Sequence, residues 1–285
     1  MQGVLLFTPI FDHWPNMNIF KRLAIKLYSL SEFRKPIKPW GFIRVFSEMK
    51  TFPLMLESIR GAVDRGVIAT HRGNLDETVE FAKEFCAKNP GFIFFEYPHK
   101  VIPSGNREYG ANPPYERTLA AYYDAVLQCI PNGAWLVKLD ADQIYDATLL
   151  KEAFRLIKSP YDRVDIPRLN VALKDGTPVG LSYVNPGDQW ILRKTKDMYF
   201  KNIVEETETS FYAYELLVAK ELRALTSQAL TIHFPFEKTW RSLPTDMPTY
   251  PLETIINQIP ESEYSDFVSK ENVERVCQRI IEFNK

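Results

Sequence analysis

"WLVKLDADQIYDA", residues 135–147, is an apolar run that ends on two aspartates one residue apart. Trp135, Leu136, Val137 and Leu139 read as a strand buried on both faces, the pattern of a parallel sheet inside an α/β domain. In an open sheet of that kind ligands bind beyond the carboxyl ends of the strands, where the strand order reverses. Asp140 and Asp142 stand at such an end. In extended chain, residues i and i+2 project to the same side, so both carboxylates can face one ligand. Asp146, just beyond, is a candidate N-cap for the helix predicted over "ATLLKEAFRLI" (147–157).

Working outward, short apolar runs alternate with helical ones. "WGFIRVF" (40–46) reads as the first strand, "FPLMLESIRGAV" (52–63) as a helix and "GVIAT" (66–70) as the second strand. Asn74 and Glu77 have the spacing of a capping box, and Leu75, Val79, Ala82 and Cys86 then recur at helical period. "FIFFEY" (92–97) is the third strand, followed by a Pro-, Gly- and Asn-rich loop long enough to be functional (98–114). Asn112-Pro113 is read as the opening of the next helix, with Leu119, Tyr123, Val126 and Ile130 on one face. After residue 157 the rhythm changes. "RVDIPRLNVAL" and "PVGLSYV" flank Asp175-Gly176, a hairpin signal, so antiparallel structure is expected there. Residues 185–245 mix "NPGDQW", acids at 205–208, "SFYAYELLVA" and "ALTIHFPF", and the last thirty-five residues carry a helical pattern ending in Val273, Val276, Cys277, Ile280 and Ile281.

The chain has 285 residues, 45% of them hydrophobic, ample for a large core. A formal net charge of -1 argues against a general nucleic-acid binder, which needs a basic face. Cys86, Cys129 and Cys277 are widely spaced among apolar residues and suggest neither a disulfide framework nor a zinc site, which fits a reducing cytoplasm. No apolar stretch reaches the roughly 20 residues of a membrane span. Between Phe20 and Lys38, however, Lys21, Arg22, Lys26, Arg34, Lys35 and Lys38 stand against one acid, Glu32, with Phe20, Leu23, Leu27 and Leu30 at helical spacing. That segment is either a basic amphipathic helix resting on an anionic membrane or a helix capping the domain.

Paired carboxylates at a strand tip suit a hard divalent cation, magnesium or manganese, which takes one or two protein carboxylates and fills its shell with phosphate oxygens and water. The spacing alone names no substrate. Three separated blocks do more: "KPWGFIRVFSEMKTFPLMLESIRGAVDRGVI" (38–68), "FAKEFCAKNPGFIFFEYP" (81–98) and "YYDAVLQCIPNGAWLVKLDADQIYDATLLKEAF" (122–154). In that order they resemble the bacterial β-1,4-N-acetylgalactosaminyltransferases of lipooligosaccharide outer cores, from about Lys38 to Phe154. The resemblance implies a GT-A (Rossmann-like) fold: a mixed, mainly parallel sheet with an antiparallel C-terminal part. It divides the chain into a basic amphipathic segment (1–38), a GT-A domain (39–245) and a helical C-terminal extension (246–285). It also implies a UDP-sugar donor, an acceptor hydroxyl on an oligosaccharide or lipid-linked glycan, and inversion at the anomeric carbon. The enzyme would then work in the cytoplasm, with residues 16–38 as a candidate contact with the inner membrane.

By the same resemblance Arg44 and Glu48 line the uridine and ribose pocket, Asp140 sits near ribose and metal, and Asp142 is the principal metal ligand. Where many enzymes of this fold carry an acid-rich turn after the second strand, this chain has "THRGNLDET" (70–78), with Asp76 present and His71 and Arg72 in the earlier positions. Arg72 and Arg117 are candidates to hold a diphosphate or an acidic acceptor. An inverting transfer needs a carboxylate to take the acceptor proton. Asp188, on what reads as an exposed Pro-Gly turn beside Trp190, is the first choice, with Glu206 and Glu208 as competitors. His233 alternates with Leu230, Ile232 and Phe234, and is either a structural histidine or a further metal ligand. Tyr122, Tyr123 and Tyr145 are read as packing residues. A sugar nucleotidyltransferase and a glycan-binding protein on an inactive GT-A fold are the competing functions. The first would carry a Gly-rich phosphate loop, absent after "GFIRV", and the second damaged aspartates, which are intact.

Overall fold

The computed structural model describes residues 37–285 apart from Thr209 and Glu221, and for Pro186 and Gly187 the backbone only. The basic amphipathic segment expected over 1–38 therefore lies almost wholly outside the described residues. Among these, no helix is long and apolar enough to cross a membrane.

The alternation read from sequence becomes β1 (Trp40–Arg44), α1 (Phe52–Ser58), β2 (Gly66–His71), α2 (Thr78–Lys88), β3 (Phe92–Tyr97), α3 (Leu119–Gln128), β4 (Trp135–Asp140), β5 (Gln143–Tyr145) and α4 (Ala147–Leu156). The hairpin follows as β6 (Asp162–Lys174) and β7 (Thr177–Arg193). Asp175 and Gly176 both have positive φ, 52° and 75°, as a tight two-residue turn requires. Then come β8 (Tyr199–Glu206), β9 (Phe211–Val218), β10 (Arg223–Thr226), β11 (Thr231–His233), α5 (Leu252–Ile256) and α6 (Lys270–Phe283).

The main sheet runs β3-β2-β1-β4-β7-β6-β11-β5, with β10 also on β6. β1 to β4 are parallel, β7 enters antiparallel to both β4 and β6, and β10 and β11 lie parallel to β6. This is the expected mixed sheet, parallel in its first half and antiparallel where the hairpin begins. β8 and β9 form a separate two-stranded ribbon. The order reverses between β1 and β4, and register sets Arg44 opposite Asp140 at their carboxyl ends.

Side chains alternate between two cores. Ile43, Val137 and Leu139 pack with α1, α4 and the C-terminal helix α6, whose Val273, Cys277 and Ile280 are buried there. Phe42, Leu136 and Trp190 pack under α3 with Tyr122, Tyr123 and Phe200. The residues that follow on this second face, Arg44 on β1 and Lys138 and Asp140 on β4, are polar. The sheet thus changes from apolar to charged where its strands end.

Local details depart from the sequence reading. Helix α1 stops at Ser58, short of residue 63, and Thr118, not Asn112-Pro113, caps α3 through a bond from the Ala121 N–H. Asn74 forms no capping box. Its Oδ1 accepts from Ser47 N (2.8 Å) and its amide donates to Thr70 Oγ1 (2.8 Å) and the His71 carbonyl (2.8 Å), so it ties the turn after β1 to the end of β2. Asp146 does cap α4, accepting from Thr148 N (2.8 Å) and Leu149 N (2.9 Å).

β1 and β2 approach closely at Gly41 and Gly66. A Cβ on Gly66 would lie 2.7 Å from the Gly41 carbonyl oxygen, which is backbone and cannot swing aside. Gly66→Ala is therefore expected to lower stability by about 1–3 kcal/mol, read as a lower midpoint in urea denaturation.

A candidate sugar-nucleotide site

A cavity of about 440 Å³ opens at the carboxyl ends of β1 and β4, and charged side chains from five strands and three loops converge on it. The Arg44 guanidinium pairs with Asp140 and lies over the Tyr123 ring, 4.1 Å from its centroid. Asp140 also accepts from Gln189 and, at 3.3 Å, from Gln143 Nε2. Lys138, almost fully buried, donates from Nζ to Asp188 Oδ2 at 2.9 Å, and Arg168 on β6 pairs with the other oxygen. Burial brings the Lys138 ammonium down to about 8, with Asp188 pulling the other way. Desolvation opposes the Asp188 charge although half its side chain is accessible, and Lys138 and Arg168 outweigh it, holding the carboxyl far below its usual range.

The second cluster centres on Asp142. The antiparallel pairing of β5 with β11 sets Gln143 opposite His233, which brings His233 Nε2 to 3.0 Å from Asp142 Oδ2. Lys238, on the loop after β11, places Nζ 2.8 Å from the same oxygen and also pairs with Glu48. Burial opposes charge on Asp142, but the Lys238 ammonium holds its carboxyl well below the usual range. Glu48 goes the other way: burial pushes it up to about 7 against the pull of Lys238.

His233 bears on what Asp142 can hold. Asn170 donates from Nδ2 to Ser182 Oγ at 2.7 Å, leaving its Oδ1 to accept from His233 Nδ1 at 2.7 Å. Burial lowers the His233 pKa against the pull of Asp142, and a neutral ring that donates from Nδ1 presents Nε2 as an acceptor beside the Asp142 oxygen. His233 Nε2 and Asp142 Oδ2 stand 3.0 Å apart, with the Lys238 ammonium 2.8 Å from the same oxygen. Ligands at about 2.1 Å on adjacent corners of an octahedral ion stand about 3.0 Å apart, so the pair fits magnesium or manganese. Among the described residues no group of three His, Cys, Asp or Glu side chains forms a metal site. Two protein donors would leave the remaining positions to phosphate and water.

A third part of the cavity is aromatic. Phe46 and His71 stack with centroids 4.0 Å apart and planes 15° from parallel, and Trp240 donates from Nε1 to the Phe46 carbonyl at 3.1 Å. Burial lowers His71 to about 4, and its Nδ1 lies 3.0 Å from the Arg72 carbonyl. A neutral ring that donates there presents Nε2 as an acceptor.

Of the residues singled out from sequence, Arg44, Glu48, Asp140, Asp142, Asp188 and His233 share this cavity. Asp76 does not line it. Its Oδ2 accepts from Met49 N (3.3 Å) and Thr239 Oγ1 (2.7 Å), which holds the loops carrying Glu48 and Lys238 together. Arg72 is exposed and outside the cavity. Glu206 and Glu208 are exposed at the far end of the β8–β9 ribbon, Glu206 being 3.6 Å from Arg107, and Arg117 pairs with Glu108 at 2.8 Å. Asp188 is not on a turn: it lies inside the long strand β7, and Trp190 is buried against Phe42, out of reach of a sugar. Tyr122, Tyr123 and Tyr145 are buried packing residues, as read.

Lys138, Arg168, Gln189 and Lys238 escaped the sequence reading. Lys138 left a trace, a lone lysine within an otherwise apolar strand two residues before Asp140. Lys238 left none, because only the fold of its loop returns it to Asp142.

A sheet reversing between β1 and β4, with paired carboxylates at the switch, defines a glycosyltransferase of the GT-A type. The chain belongs to the β-1,4-N-acetylgalactosaminyltransferase (CgtA) family, whose model matches residues 29–256, well past Phe154 where the recognisable blocks end. No curated protein matches the chain. Among solved structures it is similar to S. aureus TarS 1–349, at 13% identity and TM-score 0.43, covering 87% of this chain and 70% of that one. The same protein in complex with UDP gives 14%, 0.43, 87% and 71%. Glucosyl-3-phosphoglycerate synthase from Mycobacterium tuberculosis, in complex with Mn2+, UDP and phosphoglyceric acid, is 16% identical at TM-score 0.32, over 55% of this chain and 49% of its own. These likenesses are distant.

Lys238→Met would leave Glu48 and Asp142 buried together without their shared cation. It is expected to cost about 3–5 kcal/mol of stability, measured by urea denaturation of the ligand-free protein.

Proposed function

We propose that this protein is a metal-dependent, inverting glycosyltransferase that moves N-acetylgalactosamine from a UDP-sugar to a hydroxyl of a bacterial surface glycan, such as lipooligosaccharide or capsule. The observation that carries the reading is the Asp142 carboxylate and the His233 ring, 3.0 Å apart in the cavity where Arg44 and Glu48 converge. In the free protein each cation of the two clusters is matched to a carboxylate. A diphosphate brought into that balanced space needs a counter-charge of its own, and a divalent ion arriving with it keeps the site neutral.

Asp142 and His233 would hold the ion, which when bound supplies the charge that stabilises the departing diphosphate. The protein's own side chains do the rest. Arg44, fixed by Asp140 and Tyr123, offers a rigid cation beside the phosphates. The stacked Phe46–His71 pair gives uracil a flat surface, and the His71 Nε2 acceptor complements the uracil N3–H. The Glu48 carboxylate suits the ribose hydroxyls. The description of the family to which the chain belongs supports N-acetylgalactosamine as the donor sugar. The acceptor, the cytoplasmic setting and the membrane contact of residues 16–38 are carried from the sequence reading.

The test is UDP release from a panel of UDP-sugars with manganese, with and without chelator. The expected result is turnover with UDP-N-acetylgalactosamine that chelator abolishes, and a loss of at least about 100-fold in Asp142→Ala. Turnover indifferent to chelator would remove the metal from the mechanism, and no UDP binding by the wild-type protein would remove the function.

A further inference from the structure

Every inverting transfer needs a base for the acceptor proton, and the carboxylates of this cavity are not equally free to serve. Asp140 is paired with Arg44, Glu48 and Asp142 share Lys238, and Asp188 is held by Lys138 and Arg168. A carboxylate paired with a cation strands that cation in a buried site when it takes up a proton. Glu215 lines the same cavity, and no hydrogen bond or ion pair engages it among the described residues.

Its place on β9 makes this freedom costly. Ala213, Glu215 and Leu217 share one face of the strand, where Ala213 is buried and Leu217 packs against the core under α3, while Tyr212 and Leu216 on the other face are exposed. An acid turned inward between apolar neighbours with no ion pair to hold it is not a packing solution. Nor is it loosely held. The Ala213 carbonyl accepts from Gly105 N (2.7 Å) and Ser104 Oγ (2.7 Å). Asn202, opposite Glu215 in the register, accepts from Ala120 N (3.3 Å), and Phe200 N donates to Asp124 (2.7 Å). The charge of Glu215 acts on Lys138 and Tyr123, which sets it toward the Lys138–Asp188 end of the cavity.

We infer that Glu215 is the catalytic base. This rests on the glycosyl-transfer reading above. The acceptor O–H bond breaks and its proton passes to a Glu215 oxygen. The acceptor oxygen forms a bond to the anomeric carbon, and the bond from that carbon to the phosphate oxygen breaks, its electron pair leaving with UDP. Glu215 then returns the proton to water. The ribbon β8–β9, outside the main sheet, thereby supplies the acceptor side of the site.

The experiment compares wild type, Glu215→Gln, Glu215→Ala and Asp188→Ala in the full chain, with UDP-N-acetylgalactosamine, manganese and water as acceptor probe. UDP binding by calorimetry and UDP release are both measured. Glu215→Gln is expected to bind UDP as the wild type does, to keep the donor KM and to lose roughly 10²–10⁴-fold in kcat. Formate, a small carboxylate able to enter the space left by the side chain, is expected to restore turnover to Glu215→Ala. Wild-type kcat in Glu215→Gln, or loss and formate rescue at Asp188 instead, overturns the assignment while the transferase reading stands. A wild-type protein that neither binds UDP nor releases it overturns the transferase reading, and this assignment with it.

Discussion

An arginine and an aspartate facing each other across two parallel strands, Arg44 on β1 and Asp140 on β4, hold together the floor of the site. The register of β1 and β4 gives the pair its geometry, so it exists only when the parallel sheet is correctly assembled. From it the other charges follow. Gln189 of β7 donates to Asp140, and its neighbour Asp188 joins Lys138 to Arg168. Across the cavity Lys238 closes on Asp142 and Glu48. For the buried members of these clusters an unmatched charge costs several kcal/mol. Neutrality is therefore a condition of the fold as well as of the chemistry.

The same balance gives each carboxylate a different character. Asp142 and Asp188 stay ionised because cations touch them, while burial pushes Glu48 up to about 7 despite Lys238. On the proposed function, the first behaviour suits ligation and structural pairing. Proton transfer falls to a group held by no ion pair, and the β8–β9 ribbon carries one. A donor half built on the parallel strands and an acceptor half closed by an added hairpin would place the two substrates on separately held pieces of chain.

Much of the fold was legible in the sequence. The alternation of apolar runs gave β1 to β4 nearly residue by residue, and Asp175-Gly176 marked the hairpin, because both signals are local: burial sets the period and the turn demands its own residues. Local signals also misled. Asn74-x-x-Glu77 has the form of a capping box, but Asn74 is taken by Ser47 of a distant turn. Asn185-Pro186-Gly187 looks like a turn, yet it lies within β7 where the register on β6 shifts between Ile166 and Arg168, and this irregularity sets the position of Asp188.

The sequence by itself determined an α/β sheet with Asp140 and Asp142 at a strand end and the family blocks around them, since these depend on neighbours a few residues apart. Only the tertiary structure decided what surrounds the aspartates. His233 and Lys238 lie about ninety residues or more from Asp142, Arg168 and Asp188 reach Lys138 from another hairpin, and Glu215 comes from a ribbon outside the main sheet. A charge takes its meaning from the partner across the cavity, and that partner is chosen by strand register and loop closure, which leave no periodic mark along the chain.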